Sequence, residues 1–231
     1  MNEQANDTER TPRWWDYDQL PSGEPYDWGQ AGRVHEDDQT DFHLDLGAGR
    51  LPKGRLCIDR YDDDCTDLIM DLDELHVAGV TSEKINYGKY PEPAAELIPI
   101  QGRMPFPTDS IESIISHHAL EHVGGGFIRL MDECYRILKP GGIFRIIVPL
   151  FPSHSAMADP DHKRVFLEGS FKSFCGDGEG NSWLESFSTP YTMARFKETH
   201  LAITERSLYP NVWWTEADAR EMRVTLTKPE R

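Results

Sequence analysis

Residues 42–64 read FHLDLGAGRLPKGRLCIDRYDDD, and their spacing decides how the rest of the chain is read. Phe42 to Leu46 alternates apolar and polar residues as a strand does, and Gly47-Ala48-Gly49 follows at once. Leu56-Cys57-Ile58-Asp59 then reads as a second strand that ends in an acid. Glycines directly after a strand permit positive φ and let a ligand approach the backbone. In open α/β sheets that position lies at the carboxyl edge, where ligands bind.

The dinucleotide fingerprint needs a third glycine three residues after the second, and Pro52 stands there. It also needs a helix N-terminus behind the loop to hold the pyrophosphate. Only residues 50–55 separate Gly49 from Leu56, too few for a packing helix. Parallel neighbours normally need a crossover of about a dozen residues or more. Either this crossover is abbreviated or 56–59 is not a sheet strand. A pyrophosphate cofactor fits poorly, and a nucleotide-dependent oxidoreductase is the third-ranked reading.

S-adenosylmethionine has no pyrophosphate and needs only backbone groups and a few carboxylates. Asp59 would accept hydrogen bonds from its ribose hydroxyls, Asp71 would take the adenine amino group, and Asp45 would face the ammonium or brace the loop. A second register stays open, because Asp71 lies 22 residues after Gly49, near the ~20 expected of a ribose acid after a full crossover.

Outward from this loop, Leu68–Leu72 reads as a third strand and Ile111–Ser116 as another. Residues 73–100, with Gly79, Gly88, Pro91, Pro93 and Pro99, read as an irregular insertion. HHALEHVGGG (117–126) suggests a short helix broken by glycines. Phe127, Leu130, Met131, Cys134 and Leu138 form the apolar stripe of a helix over 127–138, which KPGG (139–142) stops. A buried strand at 143–148 follows, and two more are expected at 200–206 and 222–227. Strands alternating with helices predict a parallel sheet with covered faces.

The 231 residues carry a net charge of -16. Residues 1–41 hold 11 acids and 3 bases, so half of that excess lies in a segment with no lasting periodicity. Trp14, Trp15, Tyr17, Tyr26 and Trp28 punctuate it, which leaves a disordered tail and an aromatic arm both open. An acidic chain repels a phosphate backbone, so nucleic acid is a poor default partner. The sequence has neither a run of about 18 apolar residues nor a basic-then-apolar leader, so it is expected in the cytoplasm and off the membrane. Cys57, Cys65, Cys134 and Cys175 form no CxxC pair, and the nine histidines show no zinc spacing. Free thiols and no structural metal are therefore expected.

LDLGAGRLPKGRLCID (44–59), IMDL (69–72), MPFPTDSIESIISHHALEHV (104–123), ECYRILKPGGIFRIIVP (133–149) and DPDHKR (159–164) together resemble, in order, the class I S-adenosylmethionine-dependent methyltransferases. The likeness is to the group with a shortened first helix. It implies a Rossmann-like α/β fold: a mostly parallel seven-stranded sheet, helices on both faces and an antiparallel C-terminal strand. It implies a methyltransferase domain over 42–231, with 150–200 on the substrate side. It favours Asp59 over Asp71 as the ribose acid. Cofactor contacts are expected at Asp45, Gly47, Ala48, Gly49, Asp59, Arg60, Asp71, Leu72, His117 and His118, with substrate-side roles for Asp159, His162 and Arg164. His118 and His162 are the candidate proton acceptors. The expected acceptor is an oxygen or nitrogen of a small molecule or terminal group. A non-catalytic binding protein on the same fold is the second reading.

Overall fold

In the computed structural model, residues 43–49, 56–62, 66–80, 102–176, 192–204 and 220–230 are described. Eight strands form one sheet: β1 (His43–Leu46), β2 (Leu56–Asp59), β3 (Leu68–Asp71), β4 (His76–Val80), β5 (Ile111–His117), β6 (Leu138–Pro149), β7 (Lys197–Thr204) and β8 (Glu221–Thr227). Their order is β4-β3-β2-β1-β5-β6-β8-β7. β1, β2, β3, β5 and β6 run parallel, while β4 pairs antiparallel with β3 and β8 lies antiparallel between β6 and β7.

Leu44 pairs with Leu56 and Leu46 with Ile58, so 56–59 is a sheet strand and the first crossover is indeed abbreviated. The next connection is short as well, and Asp67 closes it. Its amide donates to the Cys57 carbonyl (2.8 Å) and its buried carboxylate accepts from the Cys57 amide (2.9 Å). A side chain here satisfies an end-of-strand donor that a longer crossover would leave to other groups.

The sheet differs from the expected seven strands by β4, which falls at the start of the segment read as an irregular insertion. Among the described residues, β4 is the edge strand there; residues 81–101 lie outside them. The strand expected at 143–148 starts earlier, at Leu138, so KPGG belongs to β6 rather than to a loop. Gly141 takes φ +80° within it, and its amide donates to the Lys228 carbonyl at 2.9 Å. The strand expected at 200–206 is β7, shifted to 197–204.

Helix α1 spans Phe127–Ile137, ending one residue before the expected boundary. Phe127, Leu130, Met131, Cys134 and Ile137 are buried along its stripe, as is Leu138 after it. Each such side chain contributes roughly 1.5–3 kcal/mol through its burial. HHALEHVGGG forms only a 3-10 turn at Leu120–His122. A single helical turn, α2, follows β6 at His154–Met157. Phe166, Phe171 and Phe174 pack on Phe127 as core, with Phe166 and Phe171 stacked at 5.3 Å. Cys57 and Cys134 are buried free thiols, and Cys175 is free with its pKa pushed by burial to about 11. No described helix is long and apolar enough to cross a membrane. The chain divides into Met1–Gln39 and Thr40–Arg231, and the N-terminal arm with its aromatic residues lies outside the described residues.

Candidate active site

Strand order reverses at β1, which has β2 on one side and β5 on the other. The carboxyl ends of β1 and β5 thus flank the switch point, where open α/β sheets bind ligands. A cleft of about 350 Å³ opens there. Its walls include Gly47, Gly49, Asp59, Arg60, Asp71, Leu72 and His118, seven of the ten expected cofactor residues.

The two glycines serve different ends. Gly47 has φ +69°, and a Cβ there would meet the Ala119 Cβ at 2.3 Å. Gly49 has φ +54°, and its missing Cβ would meet nothing within 4 Å. The first glycine lets β1 close on the segment after β5; the second leaves space beside the cleft. Ala48 is buried and its amide, like that of Gly47, donates to the Ile58 carbonyl.

Asp59 ties this loop to β2. Its Oδ2 accepts from the Gly49 amide at 3.0 Å and its Oδ1 from the Tyr61 amide at 3.1 Å. Each oxygen keeps a further lone pair, so the carboxylate stands fixed as a twin acceptor. Asp71 accepts from the Asp73 amide at 2.8 Å, and Arg60 lies 3.9 Å from its Oδ2. Asp45 and His117 are buried in their strands and fall outside the cleft lining.

Asp73, which no sequence pattern singled out, anchors the start of α1. Its carboxylate accepts from the amides of Gly124 (3.1 Å) and Gly126 (2.6 Å), and Lys163 lies 3.6 Å away. Burial works against its ionisation, but the Gly126 and Gly124 amides and the Lys163 ammonium outweigh it and hold the carboxyl below its usual range. A depressed carboxyl contributes stability above its unfolded pKa and loses it as pH falls through the lower folded value. The stability gap between wild type and Asp73→Asn is therefore expected to narrow below about pH 4, as read by thermal melts across an acid series.

His118 occupies φ +52°, uncommon for a residue with a side chain. Its Nε2 lies 3.1 Å from Oε1 of the fully buried Glu221, and its Nδ1 lies 3.7 Å from Oε1 of Glu121. Glu221 reaches it from β8, 103 residues away, and no local pattern marks that acid. DPDHKR docks beside this group: the amides of Lys163 and Arg164 donate to the Glu121 carbonyl at 2.8 and 3.2 Å. Arg164 points away from the lining. Its Nε donates to the Val123 carbonyl at 2.7 Å, its Nη2 donates to the Gly124 carbonyl, and its guanidinium covers Phe127 at 3.9 Å. His162 is nearly buried and outside the lining, whereas Asp161, Lys163 and His122 are part of it. Asp159 stands 3.9 Å from His162.

Residues 64–146 match the family model described as the methyltransferase domain. The match runs from β3 into β6 and begins after the glycine loop. No curated protein matches the sequence. Solved structures similar in fold include a methyltransferase from Burkholderia thailandensis that acts on 1,6-didemethyltoxoflavin, with 14% identity, 82% of this chain and 71% of that chain covered, and TM-score 0.48. A SAM-dependent methyltransferase from Archaeoglobus fulgidus shares 15% identity over 81% and 86% of the two chains, with TM-score 0.45. Geranyl diphosphate C-methyltransferase from Streptomyces coelicolor shares 11% over 82% and 74%, with TM-score 0.48. Residues 64–146 are thus similar to the methyltransferase domain, and they lie in a Rossmann-like α/β sheet that reverses at β1 and carries β8 antiparallel beside its parallel strands.

Proposed function

We propose that the protein binds S-adenosylmethionine in the switch-point cleft and transfers its methyl group to an oxygen or nitrogen of a small molecule or terminal group. The observation that carries this reading is the pairing of Gly49, open beside the cleft, with Asp59, held as a twin acceptor next to it. A vicinal diol matches two acceptor oxygens. A pyrophosphate would instead meet four carboxylates, Asp59, Asp71, Asp73 and Asp161, against the two cations Arg60 and Lys163. The residues present therefore fit a ribose-bearing cation better than a dinucleotide.

Bound there, S-adenosylmethionine supplies an electrophilic methyl group. Asp59 would hold the ribose, and Arg60, Asp71 and Leu72 would border the adenine side. The Gly47–Gly49 backbone and Ala119 border the loop side. His118 donates from Nε2 to Glu221, which fixes the ring and leaves Nδ1 to take the proton of the acceptor.

Calorimetry of the full chain with S-adenosylmethionine, and with NADH as the contrast, tests the cofactor reading. Asp59→Ala is expected to weaken S-adenosylmethionine binding about 10–100-fold, as the loss of charge-assisted hydrogen bonds implies. Unchanged affinity in that variant, or tighter binding of NADH by the wild type, would overturn it. Transfer of label from tritiated S-adenosylmethionine to a fractionated metabolite pool separates an enzyme from a binding protein on the same fold.

A further inference from the structure

Beside the cleft, Glu121, His122 and His162 each present a ligand atom, and all three atoms lie within 4.8 Å of one another. Glu121 is 1% exposed, and neither of its carboxylate oxygens accepts a hydrogen bond. An ionised carboxylate is costly to bury without partners. Burial pushes the Glu121 carboxyl upward, against the pull of His118, His122 and His162.

The hydrogen-bond partners of the two imidazoles indicate which nitrogen of each is left to bind an ion. His162 Nδ1 lies 3.2 Å from the Ala156 carbonyl, and His122 Nδ1 lies 3.3 Å from the Asp161 carbonyl and 3.2 Å from Asp161 Oδ2. Carbonyls and carboxylates only accept, so both Nδ1 atoms carry the proton. In the neutral rings both Nε2 atoms are then lone pairs. His162 Nε2 stands 3.9 Å from Glu121 Oε1, one acceptor facing another. A cation held between the groups would satisfy both acceptors at once. Histidine ligands to metals characteristically donate their other ring N–H to a carbonyl or carboxylate, as both rings do here.

We propose that Glu121 and the Nε2 atoms of His122 and His162 form a binding site for one divalent transition-metal ion of the zinc class. Bonds of about 2.0–2.1 Å to a tetrahedral ion set ligand–ligand edges of about 3.3 Å, so the Glu121–His162 edge closes by a small rotation of either side chain. Asp159 Oδ2, also 3.9 Å from His162 Nε2, is within reach as a fourth ligand. Two imidazoles with one carboxylate select zinc, cobalt, nickel or iron over magnesium and calcium, which prefer oxygen ligands. His122 also lines the cleft, so an ion here would sit at its edge. The site does not depend on the methyl-transfer reading.

Full-length protein stripped with chelator and titrated with ZnCl₂ and CoCl₂, without S-adenosylmethionine, tests the proposal. One equivalent is expected to bind, with visible Co²⁺ d–d bands and a shift of the His122 and His162 Nε2 resonances in nitrogen-15 spectra. His162→Ala and Glu121→Gln are expected to lose at least about tenfold in affinity. Exposed His76, on β4 and outside the cluster, serves as control: His76→Ala keeps wild-type binding. Absence of stoichiometric binding overturns the site, as does binding that leaves both Nε2 resonances unmoved. Wild-type spectra decide the matter even where a variant fails to fold.

Discussion

Replacing His118 by glycine is expected to lower kcat for methyl transfer by about 10²–10⁴-fold, the range typical of a lost general base, while S-adenosylmethionine affinity stays near wild type. Glycine is the informative replacement because His118 sits at φ +52°. Alanine there would add backbone strain to the loss of the imidazole, whereas glycine adopts that conformation freely. The variant also leaves a ring-sized gap beside Glu221, whose Oε1 is 3.1 Å from the native Nε2. Added imidazole is therefore expected to restore part of the rate, saturating with concentration. A residue that merely shaped the cleft would not respond to imidazole, and its removal would raise KM or lower the melting temperature. Wild-type kcat in His118→Gly, measured with an acceptor that loses a proton on methylation, would remove the base from the mechanism. Glu221→Gln keeps the ring's hydrogen-bond partner but not its charge, and is expected to lower kcat through His118; because it also removes the charge 3.7 Å from Arg223 Nη2, its melting temperature is compared with wild type alongside.

The parts of this site legible in the sequence are those fixed by neighbours in the chain. Gly47, Gly49 and Asp59 share one strand–loop–strand segment, and its six-residue gap alone disfavours a pyrophosphate helix. The structure adds why so short a crossover is tolerated: Asp59 holds the Gly49 amide, and Asp67 closes the following connection onto Cys57. β4 was not legible because HVAGV has a glycine and no alternation, and its pairing depends on β3. Phe166, Phe171 and Phe174 fall in the segment expected on the substrate side, and their packing on Phe127 assigns them to the core. Trp183, Phe187 and Tyr191 lie outside the described residues. Glu221 lies on β8 and His118 directly after β5, 103 residues apart. Glu121 and His162 likewise meet only because the DPDHKR segment folds back onto the 3-10 turn. The expectation of no structural metal rested on linear spacing, and linear spacing does not register side chains brought together from two segments, as Glu121, His122 and His162 are.

The three glycines after that turn illustrate the same point through a stability prediction. Read linearly, GGG is a helix breaker. In the fold, Gly126 is the N-cap of α1 at φ -79°, a conformation open to any residue. Its constraint is therefore contact, not conformation: a Cβ there would lie 1.7 Å from the Asp73 carbonyl oxygen. A backbone atom cannot swing aside as a side-chain end can, so either β3's following turn or the start of α1 must shift. That shift also breaks the bonds from the Gly124 and Gly126 amides to the Asp73 carboxylate. Gly126→Ala is expected to destabilise the protein by about 3 kcal/mol or more, at the upper end for overpacking. For a chain of this size that is a fall of roughly 6–12 °C in Tm. Gly125→Ala is the matched control, since its Cβ would meet nothing within 4 Å, and it is expected to stay within about 0.5 kcal/mol of wild type. Equal melting temperatures for the two variants would show that Asp73 does not hold α1 in this way. Because Asp73 also lines the cleft, the residual folded fraction of Gly126→Ala is expected to bind S-adenosylmethionine more weakly, while Gly125→Ala binds as the wild type does.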